Sequence, residues 1–169
     1  RYPGLFGRFR DSDGMPPRHT FFYPAEQYAP ELLDRLAVLV HGGWGEVEVH
    51  LHHDRDSRAG LRDKIEAFKA RLLSHGLLSR EVNSGTVRYG FIHGNWALDN
   101  SGAGGRWCGV RGELKILRET GCYADFTLPS APSVTQTRKI NAIYYATGDP
   151  ERSKGHDTGI DVRAGGREQ

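Results

Sequence analysis

The chain has 169 residues, of which 37% are hydrophobic and 26% are charged, and its formal net charge is +2 with histidine neutral. These values are typical of one globular domain with a packed core, and they exclude a wholly disordered chain. The basic residues are scattered among acidic ones, which argues against nucleic-acid binding, and no apolar run approaches the length of a membrane span.

The cysteines and the two ends of the chain bear on its compartment and completeness. Cys108 and Cys122 are too few for a disulfide framework, and the sequence leaves open whether they pair. No signal peptide is recognisable, so a soluble, cytoplasmic protein is the default expectation. Neither Arg1 nor Gln169 reads as a natural terminus. We therefore expect residues 1–169 to be a single α/β domain cut from a longer protein, with an oligomeric state that the sequence does not indicate.

The first third of the chain predicts a strand, a helix and a second strand. Residues 19–24 are rich in β-forming side chains and are closed by a proline. Pro30 and Glu31 then begin a helix with leucines on one face, which ends at the glycine pair 42–43. Residues 45–51 alternate strictly between apolar and polar side chains, as a strand does. Two strands joined by a helix in so short a stretch predict a parallel βαβ unit with a right-handed crossover.

Alternating elements continue through the rest of the chain. They comprise a helix at 57–78, a strand at 86–92, a short helix at 112–120, strands at 122–129 and 139–146, and a short strand around Ile160 and Val162. This order predicts a parallel α/β architecture, in which functional groups collect at the carboxyl ends of the strands.

The second predicted strand carries an unusual group of polar residues at its end. His50, His52, His53 and Asp54 follow one another closely, and imidazole with carboxylate suits a divalent metal such as zinc. His50 and His52 would share a face if the strand continues, whereas His50 would converge with His53 or Asp54 if the chain turns. Both ligand sets stay open, as does a surface strand with solvated histidines.

The third and fourth predicted strands bring further candidates. His93 stands where the third strand runs into a loop that contains Asn95, Trp96 and Asp99. An aromatic face with nearby amide groups resembles a sugar-binding surface, although a glycine-rich loop whose tryptophan caps the core fits as well. Asp125 lies inside the fourth strand, where a carboxylate is costly unless it is paired or bound, so we expect it to take part in the site.

Three segments together carry a family resemblance. The run from Thr20 to Pro24, the sequence Pro30-Glu31-Leu32, and the strand that ends at His50 resemble the polysaccharide deacetylase family, the NodB-homology domain. In that family an Ala-Thr-Phe-Phe strand precedes a helix that begins near Pro-Glu, and the next strand delivers a zinc-binding histidine pair. The family spaces these histidines four residues apart, whereas Asp54 stands four residues after His50 in this chain.

The resemblance implies a partial or irregular (β/α) barrel, a fragment of a longer one. It also implies a metal-dependent amide hydrolase, with zinc as the cofactor and a glycan or N-acetyl sugar as the substrate. It implies roles for nine side chains, namely the metal ligands His50, His52, His53 and Asp54, the general acid His93, the orienting carboxylate Asp125, and the sugar contacts Asn95, Trp96 and Asp99.

Two other functions fit the same residues. The sequence His50-Leu51-His52 matches the strand-borne His-x-His of amidohydrolase and PHP-type barrels, which are metallohydrolases with other substrates. A barrel that has lost its catalytic base would instead bind carbohydrate without turnover. Phosphate release would favour the first of these functions, and bound metal without acetate release would favour the second.

Overall fold

A computed structural model of the chain describes residues 1–165, and its centre is a parallel sheet with the strand order β1-β2-β3-β4. The strands are β1 His19–Pro24, β2 Gly45–Leu51, β3 Tyr89–His93 and β4 Cys122–Asp125. The helices are α1 Tyr2–Phe6, α2 Pro30–His41, α3 Arg58–Ser74 and α4 Glu113–Glu119. The predicted parallel α/β architecture is therefore confirmed.

After β4 the elements differ from the predicted ones. The predicted fifth strand contributes only β5 Tyr144–Ala146, which pairs antiparallel with β6 Gly159–Asp161 in a separate sheet. The predicted strand at 139–146 is therefore shorter than expected, and Ile140 and Ile143, which precede β5, are exposed. β4 itself ends at Asp125, because the side chain of Asp125 accepts a hydrogen bond from the main-chain N–H of Thr127 and turns the chain there.

The hydrophobic core lies on one face of the sheet, which we call the helix face. The core cluster contains Leu33 of α2, four buried side chains of α3, and Ile116 and Leu117 of α4, together with Val49 and Phe91 of the sheet. In α3 the buried positions recur at helical spacing, and Ser57 caps the helix by accepting a hydrogen bond from Gly60 N. None of the helices in residues 1–165 has the length and apolar character needed to cross a membrane.

The opposite face, which we call the open face, carries Glu48 and His50 of β2. Here the rings of Phe22 on β1 and Phe126 just after β4 meet, with their centroids 5.6 Å apart. Tyr123 donates a hydrogen bond to Glu48 Oε1 at 2.9 Å. Because β1 and β4 are the two outer strands of the sheet, a contact between Phe22 and Phe126 requires the sheet to curl around this face.

Candidate functional site

The carboxyl end of β2 sends neighbouring histidines to opposite faces. His50 and His52 lie together on the open face, and we call them the open pair. His53 turns to the helix face, where its ring lies 4.5 Å from that of His93, the residue that pairs with Leu51 in the register of β2 and β3. The four histidines at this edge therefore form two pairs, because side chains alternate along a strand.

The open pair has the geometry of two nitrogen ligands. His50 Nε2 and His52 Nε2 are 3.4 Å apart, and His52 Nδ1 donates to Glu26 Oε1 at 2.5 Å. Glu26 therefore fixes the proton of His52 on Nδ1 and leaves the lone pair of Nε2 facing His50. The same separation also fits a hydrogen bond from His50 to His52. Desolvation, with a smaller effect of His52, lowers the pKa of His50, so that its ring is neutral at pH 7.

A loop that could contact a substrate begins against the open pair. A Cβ added at Gly94 would lie 2.2 Å from His52 Cδ2, so only glycine lets the His52 ring pack on this backbone. Asn95 and Trp96 follow, with φ values of 56° and 55°, and such conformations in residues other than glycine concentrate at functional sites. Trp96 is 54% exposed. The loop thus presents an aromatic surface next to His52.

His53 and His93 belong to a second group, which we call the buried cluster, with Cys108 and Glu113. Their donor atoms all lie within 4.8 Å of one another, and all four residues are buried. Glu113 Oε1 is 3.2 Å from His53 Nε2 and 3.6 Å from His93 Nε2, and Glu113 Oε2 is 3.5 Å from Cys108 Sγ. The buried cluster could therefore hold a metal ion.

The electrostatics of the buried cluster centre on Glu113. Burial raises the pKa of this carboxyl group, but His93, His53 and the main-chain N–H of Asp99 together outweigh burial and hold the pKa below its usual value. Burial lowers the pKa of His93, opposed by Glu113, and burial raises the pKa of the Cys108 thiol. Glu113 and Asp99 also hold each other in place. Asp99 N donates to Glu113 Oε2 at 2.6 Å, and Glu113 N donates to Asp99 Oδ1 at 2.9 Å.

Several residues predicted for one site lie elsewhere. Asp54 Oδ1 accepts from Trp107 N at 2.7 Å and so anchors a loop, while His53 faces away from the open pair. His93, expected as a general acid, is 1% exposed, and its ring faces Glu113. In this structure neither His93 nor His53 can reach a substrate on the open face.

The two predicted aspartates have supporting positions. Asp99, expected to contact sugar, is 1% exposed and accepts from Gly155 N at 2.6 Å, and burial raises its pKa to about 6. It therefore does not reach a sugar-binding surface. Asp125 Oδ2 accepts from the Thr127 hydroxyl at 2.8 Å, and that hydroxyl oxygen accepts from His93 N at 2.8 Å. Asp125 thus supports the main chain of His93, and burial raises its pKa to about 7.

Sequence reasoning did not identify Glu26, Cys108 or Glu113. Glu113 opens α4, where an acidic residue is already favoured by the helix dipole, so nothing in the sequence singles it out. Cys108 has no second cysteine at a metal-binding spacing. The signal that could have found Cys108 and Glu113 is the convergence of polar residues at strand ends, which needs the fold to be known first.

Comparison of the chain with protein-family models, with curated proteins and with solved structures gives no match. The function is therefore inferred from the geometry of the two histidine sites.

Proposed function

We propose that the chain is a metal-dependent hydrolase that removes N-acetyl groups from a glycan, at a site formed by His50, His52 and Glu26. The observation that carries this proposal is the 3.4 Å separation of the two Nε2 atoms of the open pair. Two nitrogen ligands at zinc-bonding distance from one ion lie about 3.3 Å apart. Glu26 on His52 Nδ1 is the carboxylate partner that metal-bound histidines commonly have.

The open pair is accessible in the way that catalysis requires. The side chains of His52 and Glu26 are 40% and 37% exposed, so water and substrate can approach the two nitrogen atoms. A zinc ion bound there would act as a Lewis acid on the acetamide carbonyl and would favour ionisation of a water molecule. Glu26 keeps the His52 ring in one orientation and one tautomer, so that Nε2 stays directed at the reacting centre.

A sugar substrate is supported by the loop beside the open pair. Trp96 presents an exposed indole face, Asn95 adds an amide group, and both residues follow a glycine that packs against His52. Sugar rings stack on such aromatic faces, and amides bind their hydroxyl groups. The curled open face, where Phe22 meets Phe126, supports a partial (β/α) barrel that would form a groove for a chain of sugars.

Acetate release tests this function directly. We expect the chain with added zinc to release acetate from soluble oligomers of N-acetylglucosamine. We expect His50→Ala to lower kcat/KM on the order of 100-fold, because Lewis-acid stabilisation supplies several kcal/mol. His19→Ala is the matched control, since His19 is an exposed histidine at the opposite end of β1 and its loss should leave the rate unchanged.

Other outcomes separate the competing functions. Equal acetate release by the wild-type chain and His50→Ala contradicts the proposal. Phosphate release from a simple aryl phosphate, in place of acetate, assigns the open pair to a phosphoester hydrolase. Binding of the sugar oligomers without release of either product shows a carbohydrate-binding domain.

A further inference from the structure

We propose that the buried cluster of His53, His93, Cys108 and Glu113 is a closed structural zinc site, distinct from the open pair. It offers two imidazole nitrogens, one sulfur and one carboxylate, which are the donors that zinc takes in proteins. The four residues lie on the helix face, whereas the proposed catalytic residues lie on the open face. This inference does not depend on the proposed hydrolase activity.

The distances within the buried cluster fit tetrahedral coordination. In a tetrahedral zinc site, nitrogen and oxygen ligands are about 3.3 Å apart, and a sulfur lies about 3.6 Å from an oxygen. Glu113 Oε1 lies 3.2 and 3.6 Å from the two histidine Nε2 atoms, and Glu113 Oε2 lies 3.5 Å from Cys108 Sγ. The Glu113 carboxylate thus lies at ligand separations from the other three donors, and all four donor atoms lie within 4.8 Å of one another, so one ion could draw them together.

The hydrogen bond of His93 leaves one ring nitrogen without a partner. His93 Nδ1 donates to Gly94 O at 2.5 Å, so a neutral His93 ring carries its lone pair on Nε2. Nε2 is buried, has no hydrogen-bond partner among residues 1–165, and faces Glu113 Oε1 at 3.6 Å. A lone pair and a carboxylate oxygen repel each other at this distance, and a cation between them removes the repulsion.

The remaining two ligands each have a group nearby that would support metal binding. His53 Nδ1 lies 3.4 Å from Asp56 Oδ2, too poorly aligned to count as a hydrogen bond, and Cys108 Sγ accepts from Val110 N at 3.4 Å. A carboxylate behind a histidine and an amide N–H on a thiolate both stabilise the ligand form. Cys108 becomes a thiolate when it binds the ion, because metal binding releases its proton.

Charge and burial indicate a structural ion and not a catalytic one. Cys108 as thiolate and Glu113 as carboxylate carry two negative charges, which Zn²⁺ neutralises. The exposed fractions of the four residues are between 0% and 7%, and four protein ligands leave no position for substrate. The ligands come from the ends of β2 and β3, from the loop before α4 and from α4 itself, so the ion would clamp these elements at the edge that also holds the open pair.

Zinc content and cobalt spectra test the site. The chain has two cysteines, so Cys122→Ser leaves Cys108 as the only thiol. We expect about one zinc per chain in purified Cys122→Ser without added metal, measured by elemental analysis. After replacement of zinc by Co²⁺, we expect the near-ultraviolet thiolate-to-cobalt absorption and the intense visible bands of tetrahedral cobalt. Neither measurement requires a variant of a ligand to fold.

Two further variants separate the buried cluster from the open pair. Cys108→Ser should lose the thiolate band and most of the zinc, while His50→Ala should keep both, even if it no longer releases acetate. A folded Cys122→Ser chain that purifies without a transition metal and shows no thiolate band on addition of Co²⁺ overturns the proposal. Zinc that is retained in Cys108→Ser and lost in His50→Ala also overturns it. Failure of acetate release by the wild-type chain leaves these results unaffected.

Discussion

The open pair and the pair within the buried cluster have nearly the same internal geometry and opposite surroundings. In both, the ring centroids are 4.5 Å apart. His52 of the open pair is exposed and is oriented by one exposed carboxylate, Glu26. His53 and His93 are buried against Glu113 and Cys108. A step of one residue, from His52 to His53 just past the end of β2 at Leu51, moves a histidine from one surrounding to the other.

From these different surroundings we expect the buried pair to affect mainly stability and the open pair to affect mainly turnover. A buried carboxylate is costly unless opposite charge and hydrogen bonds compensate it, so changes in the buried cluster should act mainly on stability. The open pair buries little charge, so changes there should act mainly on turnover.

Glu113→Gln should destabilise the fold strongly. Glutamine keeps the size of the side chain but removes the charge that two histidines face. In the zinc-loaded chain this change leaves the buried cation with one negative ligand fewer, which typically costs about 3–5 kcal/mol, and we expect that loss in the free energy of unfolding of the zinc-loaded chain, measured by urea denaturation. Glu119→Gln is the control, because Glu119 on the same helix makes exposed ion pairs that are typically worth about 0–1 kcal/mol. Equal unfolding free energies of Glu113→Gln and Glu119→Gln would show that the Glu113 carboxylate does not stabilise the fold.

Asp125→Asn should instead stabilise the protein at neutral pH. Burial raises the pKa of Asp125 from 3.8 to about 7, so folding favours its protonated form. Its contribution to stability is fully present below pH 3.8 and is lost as the pH rises to about 7. The rise of about 3 pH units corresponds to roughly 4 kcal/mol. Asparagine is neutral throughout this range and can still accept from Thr127 N, one of the two contacts that Asp125 makes with Thr127.

The measurement is the difference in unfolding free energy between Asp125→Asn and the wild-type chain at several pH values. This difference should grow from about zero near pH 4 and level off above pH 7, because the other titrating groups cancel in the comparison. A difference that does not change with pH would mean that Asp125 ionises normally in the folded chain.

Glu26→Gln should lower turnover at the open pair while leaving the stability of the fold almost unchanged. The carboxylate of Glu26 accepts hydrogen bonds from Nδ1 and from the main-chain N–H of His52. Glutamine has one acceptor oxygen and no negative charge, and weakening such a partner typically costs about 10- to 100-fold in activity or metal affinity. We expect that loss in kcat/KM for acetate release, with the unfolding free energy changed by less than about 0.5 kcal/mol. Glu31→Gln in the first turn of α2 is a control that leaves the histidines alone. A large loss of unfolding free energy without a loss of kcat/KM would show that Glu26 supports the fold and not turnover.

The sequence predicted the elements that position these residues better than it predicted the residues' partners. The alternation in β2 and the helix signals around Pro30 and Ser57 are local, and the structure has both helices and the strand. The group His50, His52, His53 and Asp54 was evident from the sequence, but its division between two faces depends on where β2 ends and the chain turns. That end is set by tertiary packing, which local patterns do not contain.

The partners of the histidines were beyond sequence reasoning for a related reason. Glu113 is 60 residues from His53 along the chain, and no spacing rule links a glutamate to a histidine over that distance. Asp99 looked like a loop residue free to contact sugar, but Gly155 from the distant carboxyl-terminal part packs on it and buries it. In both cases the function of a side chain depends on contacts that only the folded chain creates.

Trp96→Ala should have the smallest effect, confined to substrate binding. The indole is 54% exposed, so its removal should change the unfolding free energy by less than about 0.5 kcal/mol. Loss of an aromatic stacking contact should raise KM for N-acetylglucosamine oligomers by about 3- to 10-fold, corresponding to about 0.5–1.5 kcal/mol, with kcat unchanged. Trp107→Ala is the control, because Trp107 is only 38% exposed and its ring is covered by Arg106 at 4.1 Å. If KM rises equally in both variants, the loop beside His52 has no special part in binding, and the sugar must contact another part of the open face.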